Sequence, residues 1–230
     1  MKPESLTKTS RTPPLADKTI YVVGSSQLQN SLMSTFLEET TGAACHILQT
    51  FDQVRADNIC SNNHKCLVLW DCLGKDWASC MLEFDNGGDE VLNHIPVALF
   101  NVSPDLGIED KAIAYGVEGI FYDQYAMEDL EKGIRAIFAG ELWISRRVLA
   151  EYMRKNNSPN KPPNTRKIYT PLTPRETDIL IMVASGATNA EVADKLFISP
   201  HTVRTHLFNI YKKINVPNRF QAMLWAAENL

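Results

Sequence analysis

The chain is poor in what catalysis, covalent bracing or a membrane span would need. No run of about 18 apolar residues occurs in its 230 residues, so no bilayer-spanning helix and no membrane partner are expected. The five cysteines, Cys45, Cys60, Cys66, Cys72 and Cys80, are odd in number and include no C-x-x-C pair. That pattern argues against a disulfide framework and a zinc site, and for buried reduced thiols. The five histidines show no ligand spacing, and G-x-S-x-G, H-E-x-x-H and P-loop motifs are missing, so neither enzymatic activity nor a bound metal is expected. Residues 1–17 lack the apolar centre of a signal peptide, which leaves a flexible tail and a cytoplasmic location as the expectation. Internal repeats and extended low-complexity segments are also missing.

What is present divides by charge. Residues 1–150 carry 12 Lys/Arg against 21 Asp/Glu, a balance of −9, whereas residues 151–230 carry 11 against 6, a balance of +5. Only the second part is suited to a polyanion. In the first part, Lys18–Gly24, Ala44–Leu48, Cys66–Trp70, Val97–Phe100 and Gly119–Tyr122 read as short apolar strands. Helical stretches separate them: one has Leu28, Leu32, Phe36 and Leu37 on a shared face, and others span Asp105–Tyr115 and Met127–Phe138. Five such units predict an α/β domain with a parallel sheet covered on both faces. Ligand chemistry then gathers beyond the strand ends, at Gly24–Ser26, Asp71, Asn101 and Asp123. An extra helix is expected over 141–154, giving a domain over 18–154. A Pro-, Asn- and Lys-rich stretch over 155–170 reads as a linker.

Residues 171–230 predict a separate all-α domain of four helices. Thr173 to Glu176 and Thr188 to Glu191 are capping boxes, Ser199-Pro200 offers a third start and Asn218 a fourth, with Gly186 as a stop. In the third helix Val203, Leu207, Ile210 and Ile214 form an apolar stripe. The other face presents His201, Thr205, Phe208 and Lys212, flanked by Arg204 and Asn209. In a helix–turn–helix this face meets the DNA major groove: Arg204 can reach a guanine edge or a phosphate, and Thr205 a thymine methyl. Lys212, Lys213 and Arg219 are expected to pair with phosphates. An isolated basic helix is more often a solvated face; the four caps and the domain-wide positive charge favour DNA.

The segment LTPRETDILIMVASGATNAEVADKLFISPHTVRTHLFNIYKKINVPNRFQA resembles the helix–turn–helix of LuxR/FixJ/NarL-type bacterial regulators. Arg204 stands where lysine is commoner, and Phe208 occupies a site that is often polar. The resemblance implies a transcription regulator that binds double-stranded DNA as a homodimer, with a receiver as its N-terminal domain. Receiver chemistry needs an aspartate, acidic residues holding Mg²⁺, a hydroxyl and a lysine. Asp71 matches the phosphoacceptor position, but Gly24-Ser25-Ser26, Asn101 and Asp123 replace its partners, which implies a degenerate receiver.

Trp143-Ile144-Ser145-Arg146 resembles the W-[F/L/M]-[T/S]-R motif of VpsT-like regulators in the CsgD subfamily. That resemblance implies binding of cyclic di-GMP through these four residues, a ligand-favoured dimer, control of biofilm-matrix genes and a Gram-negative source. In many ordinary receivers a similar segment only packs the final helix. The alternatives kept open are control by phosphorylation at Asp71, by a partner protein or by constitutive dimerisation.

Overall fold

Five short β-branched and apolar segments form one parallel sheet in the computed structural model, which describes residues 14–56, 65–76, 78–79, 95–156 and 170–230. The strands are β1 (Thr19–Val23), β2 (Ala44–Leu48), β3 (Cys66–Asp71), β4 (Val97–Val102) and β5 (Gly119–Tyr122). Their order is β2-β1-β3-β4-β5, so the direction of winding reverses between β1 and β3. Every residue of β3 is buried, as a central strand covered on both faces requires.

The described helices of this half are α1 (Gln27–Thr41), α2 (Phe51–Ala56), α3 (Glu109–Ala114), α4 (Met127–Phe138) and α5 (Arg146–Asn156). One core cluster centres on Trp70, Phe51, Leu99 and Ile108. On the other side of the sheet, Leu67, Leu69, Phe121 and Ile134 form a second cluster.

Three details differ from expectation. The sheet-facing side of α1 is Asn30, Ser34, Leu37 and Thr41, while Leu28 and Leu32 are 75% and 65% exposed. Residues 30, 34, 37 and 41 also keep helical spacing, and Thr41 satisfies its hydroxyl by donating to the Leu37 carbonyl at 2.6 Å. The helix expected over 105–115 begins only at Glu109, because Gly107 takes a left-handed conformation after a 3-10 turn over Pro104–Leu106. The helix expected over 141–154 begins at Arg146. Gly140 stops the preceding helix at φ +81°. The backbone then runs beside β5: Trp143 N–H donates to the Glu118 carbonyl at 2.8 Å, and Ile120 N–H to the Trp143 carbonyl at 2.9 Å.

The C-terminal helices are α6 (Pro174–Ala184), α7 (Asn189–Leu196), α8 (Pro200–Ile214) and α9 (Arg219–Asn229). Both capping boxes form, and Ser199 and Asn218 accept from the backbone N–H of Thr202 and Gln221. Each such cap is worth about 1 kcal/mol. Val203, Leu207, Ile210 and Ile214 are buried against Ile179, Leu180, Val183 and Val192. Among the described residues no helix is long and apolar enough to cross a membrane. Most of the expected tail (residues 1–13), most of the expected linker (157–169), Cys60 and Cys80 lie outside the described residues.

Candidate functional site

Asp71 ends β3 at the point where the winding reverses, yet it is only 3% exposed. Its Oδ1 accepts from Asn101 Nδ2 at 2.7 Å and from Leu73 N–H at 3.0 Å. The pairing of β4 with β5 shifts register between Leu99 and Val102, and Asn101 adopts φ +55° there. The irregularity turns the Asn101 amide onto Asp71, a re-aiming typical of β-bulges. On the other side stands Gly24. A Cβ at that position would lie 2.6 Å from Asp71 Cβ and 2.9 Å from Asn30 Nδ2. Asn30 is fully buried and its amide has no hydrogen-bond partner among the described residues.

The pocket therefore does not fit Mg²⁺. An acidic side chain cannot stand at position 24 without moving Asp71 and Asn30, and one oxygen of Asp71 already has two donors. Acetyl phosphate should accordingly leave no label on the protein that Asp71→Ala removes. Intact-mass measurement before and after acetyl phosphate checks this, and an 80-Da adduct lost in Asp71→Ala would contradict it.

The second site is α8. His201, Thr205 and Asn209 are exposed, and Arg204 is half-buried. Phe208, expected to be exposed, is half-buried, with Lys212 Nζ 4.3 Å above its ring; a cation over an aromatic face gains about 0.5–1 kcal/mol at such sites. Two of the cations expected to meet phosphates have partners within the protein. Lys213 Nζ lies 2.7 Å from Glu176 Oε2. Burial opposes ionisation of Glu176, yet the hydrogen bonds from Lys213 and Thr173 hold its pKa below the ordinary value. Arg219 is only 8% exposed. Its guanidinium donates to Asn189 Oδ1 at 3.0 Å and to the Ala187 carbonyl, and reaches the Gly140 carbonyl at 3.5 Å. Arg219 is therefore spent inside the fold, and the half-buried Lys213 is engaged by Glu176.

That last contact belongs to an interface between the two halves. Tyr152 on α5 packs edge-on to Phe220 on α9 at 5.8 Å, and its hydroxyl accepts from Gln221 Nε2 at 3.2 Å. Ile113 and Val148 complete the buried cluster. Gly116, at φ +94°, lies so close to Pro217 that a Cβ would stand 2.7 Å from the proline Cβ. Burial pushes the Glu118 carboxyl up to about 7, opposed by the charges of Arg204 and Arg219. The N-terminal end of α8, with His201 and Arg204, thus faces the receiver-like half. None of Tyr152, Gly116, Pro217 and Glu118 carries a sequence signal of this role.

The segment after α4 is the third feature. Trp143 stacks near Phe121 at 6.2 Å, and Ile144 packs against both the sheet core and the inter-domain cluster. Ser145 Oγ accepts from Val148 N–H at 3.3 Å, capping α5. Ser145, Arg146 and Arg147 are exposed.

Residues 170–226 match the family model described as bacterial regulatory proteins, luxR family. Over 215 residues the chain is 31% identical to the probable csgAB operon transcriptional regulatory protein of Salmonella typhimurium, covering 92% of this chain and 94% of that one. The CsgBAC operon transcriptional regulatory protein of Escherichia coli is 29% identical over the same shares. Among solved structures, the regulatory domain of the master biofilm regulator CsgD matches at TM-score 0.45 and 17% identity, over 59% of this chain and 98% of that one. The chain is a DNA-binding transcription regulator. It belongs to the LuxR family, within the CsgD subfamily.

Proposed function

We propose that this regulator responds to cyclic di-GMP, bound through Trp143, Ile144, Ser145 and Arg146 and shared between two copies, and that it controls biofilm-matrix genes. The observation that carries the reading is the chemistry of this segment: two exposed arginines stand beside a serine that caps a helix N-terminus. A helix start with its free N–H groups favours a phosphate, and an arginine plane can stack on guanine or fork onto phosphate. Supporting it are the sealed Asp71 pocket, which leaves phosphorylation without its machinery, and the relatives named for csg operons. Ile144 packs against the sheet core and the inter-domain cluster alike, so a change at the motif has a mechanical route to the DNA-binding half. A ligand-bridged dimer would supply two DNA-binding domains to paired half-sites.

Isothermal titration of the full chain with cyclic di-GMP tests the reading. Binding at roughly micromolar Kd or tighter is expected, weakened at least tenfold in Arg146→Ala, the loss of a charge-assisted contact. Absence of heat in the wild type, or heat unchanged in Arg146→Ala, would remove this input.

A further inference from the structure

A cavity of about 590 Å³ lies between the two halves, and its walls are cationic. The receiver-like half supplies Lys18, Lys65 and Arg135, and α8 supplies His201 and Arg204; Asp17 is the one acidic residue of the lining. This concentration of positive charge is out of character for a region with a balance of −9.

The partners of these groups separate them into two sets. Lys18 Nζ lies 3.2 Å from Asp17 Oδ2. Arg135 is held by Glu131 at 2.9 Å and by the Thr40 carbonyl at 2.9 Å. Lys65 and Arg204 have neither a hydrogen bond nor an ion pair from their side chains among the described residues. Both sense Asp17, and Arg204 also senses Glu118, at longer range. Burial lowers the pKa of Arg204, the direction expected when a cation is desolvated without a bonded counter-charge. An unpaired cation in a half-dry cleft is unfavourable until an anion completes it.

We propose that this cleft binds a small phosphate-bearing molecule, its phosphate between Lys65 and Arg204 and its apolar part against Phe138 and Leu15. The volume falls in the usual range for small-molecule sites, roughly 300–1,000 Å³, and far exceeds a lone phosphate. The lining fits both parts of such a ligand, since Phe138 and Leu15 share the cavity with the cations. Asp17, which acts on both cations at longer range, opposes a bound anion. Because Arg204 and His201 belong to α8, an occupied cleft ties the base-reading helix to the receiver-like half and lowers DNA affinity. The site shares no residue with Trp143–Arg146, so the two readings stand or fall separately.

The test uses the full chain and inorganic pyrophosphate at fixed ionic strength, followed by isothermal titration and by competition against a labelled DNA duplex. Lys65 belongs to the receiver-like half and not to α8, so Lys65→Gln leaves every side chain of the DNA-reading helix in place. Lys65→Gln should weaken pyrophosphate roughly tenfold, and Asp17→Asn should tighten it several-fold, as loss and gain of one charge-assisted partner predict. Pyrophosphate should weaken DNA binding in the wild type and much less in Lys65→Gln, while Arg146→Ala should leave both effects in place. Pyrophosphate affinity indifferent to Lys65→Gln would mean that the anion sits on the DNA-contacting face, which overturns the proposal. No measurable heat at millimolar pyrophosphate overturns it as well.

Discussion

Tyr152→Ala should bind DNA more tightly than the wild type, by about 30-fold at most. The residue lies on α5, outside the DNA-binding domain, and is only 8% exposed. What it holds is the interface: an edge-on contact with Phe220 and a hydrogen bond from Gln221. While that interface is closed, the N-terminal end of α8, with His201 and Arg204, lines the inter-domain cavity. Arg204 is half-buried there, and a neighbouring domain beside the reading end obstructs its entry into a major groove, so DNA binding should first separate the halves. Removing the ring takes at most about 2 kcal/mol off the closed state, less than an aromatic truncation in a core, because only its contacts across the interface count. Apparent affinity is scaled by the fraction of molecules already open, so about 2 kcal/mol off the closed state raises it about 30-fold. Tyr152→Phe, which loses only the hydroxyl bond, should give a small gain in the same direction. Fluorescence anisotropy with one duplex at one salt concentration measures this, with the radius of gyration in solution as the companion observable. Equal DNA affinity for wild type and Tyr152→Ala would show that the halves do not restrain each other.

Much of the fold could be read from residue patterns because local physics dominates there. Strands β1 to β5 are short apolar runs between turn residues, and a parallel sheet buried on both faces demands that pattern. The four C-terminal helices announce their starts through Thr173, Thr188, Ser199 and Asn218, whose caps satisfy N–H groups that have no other partner. The stripe Val203, Leu207, Ile210 and Ile214 is buried as its spacing predicts. Where the reading failed, the deciding neighbour was distant in sequence. Hydropathy points to Leu28 and Leu32 as the inner face of α1, but the helix turns Asn30 inward, beside Asp71 and Gly24. Helix α5 starts later than its residue pattern suggests because the backbone at Trp143 pairs with β5, and edge pairing leaves little trace in a single segment.

The same limit governs the charged residues. Lys212, Lys213 and Arg219 are indistinguishable by local pattern, each a cation in a basic helical region. Only the packed domain separates Lys212 over an aromatic face from Lys213 on Glu176 and from Arg219 inside. Lys65 and Arg204 are 139 positions apart in the chain, and the fold alone brings them to one cleft. Asp71 was legible as an acceptor position stripped of its partners. That Asn101 and Leu73 occupy its carboxylate was not, because the turn of Asn101 depends on the β4–β5 irregularity.

Arg219→Ala should act as a folding mutation and not as the loss of a phosphate contact. The guanidinium binds Asn189 and the Ala187 carbonyl, and faces the Gly140 carbonyl. Asn189 is itself buried. Truncation strands the buried Asn189 acceptor, takes the donor from two half-buried carbonyls, and removes one of the two cations acting on Glu118. Losing charge-assisted bonds and leaving buried acceptors unmet costs about 3 kcal/mol. For a small helical domain that lowers the melting temperature by on the order of 10 °C. Arg219→Gln, which keeps a donor near Asn189, should recover part of the loss. A phosphate contact predicts a different pair of observations: unchanged stability, and a salt dependence of DNA binding shallower by about one unit of slope. Lys212→Ala should show that second pattern, because its ammonium stays on the exposed side of α8. If thermal melting of Arg219→Ala matches the wild type while the salt slope falls by about one, the guanidinium sits on DNA and the internal role assigned to it is wrong.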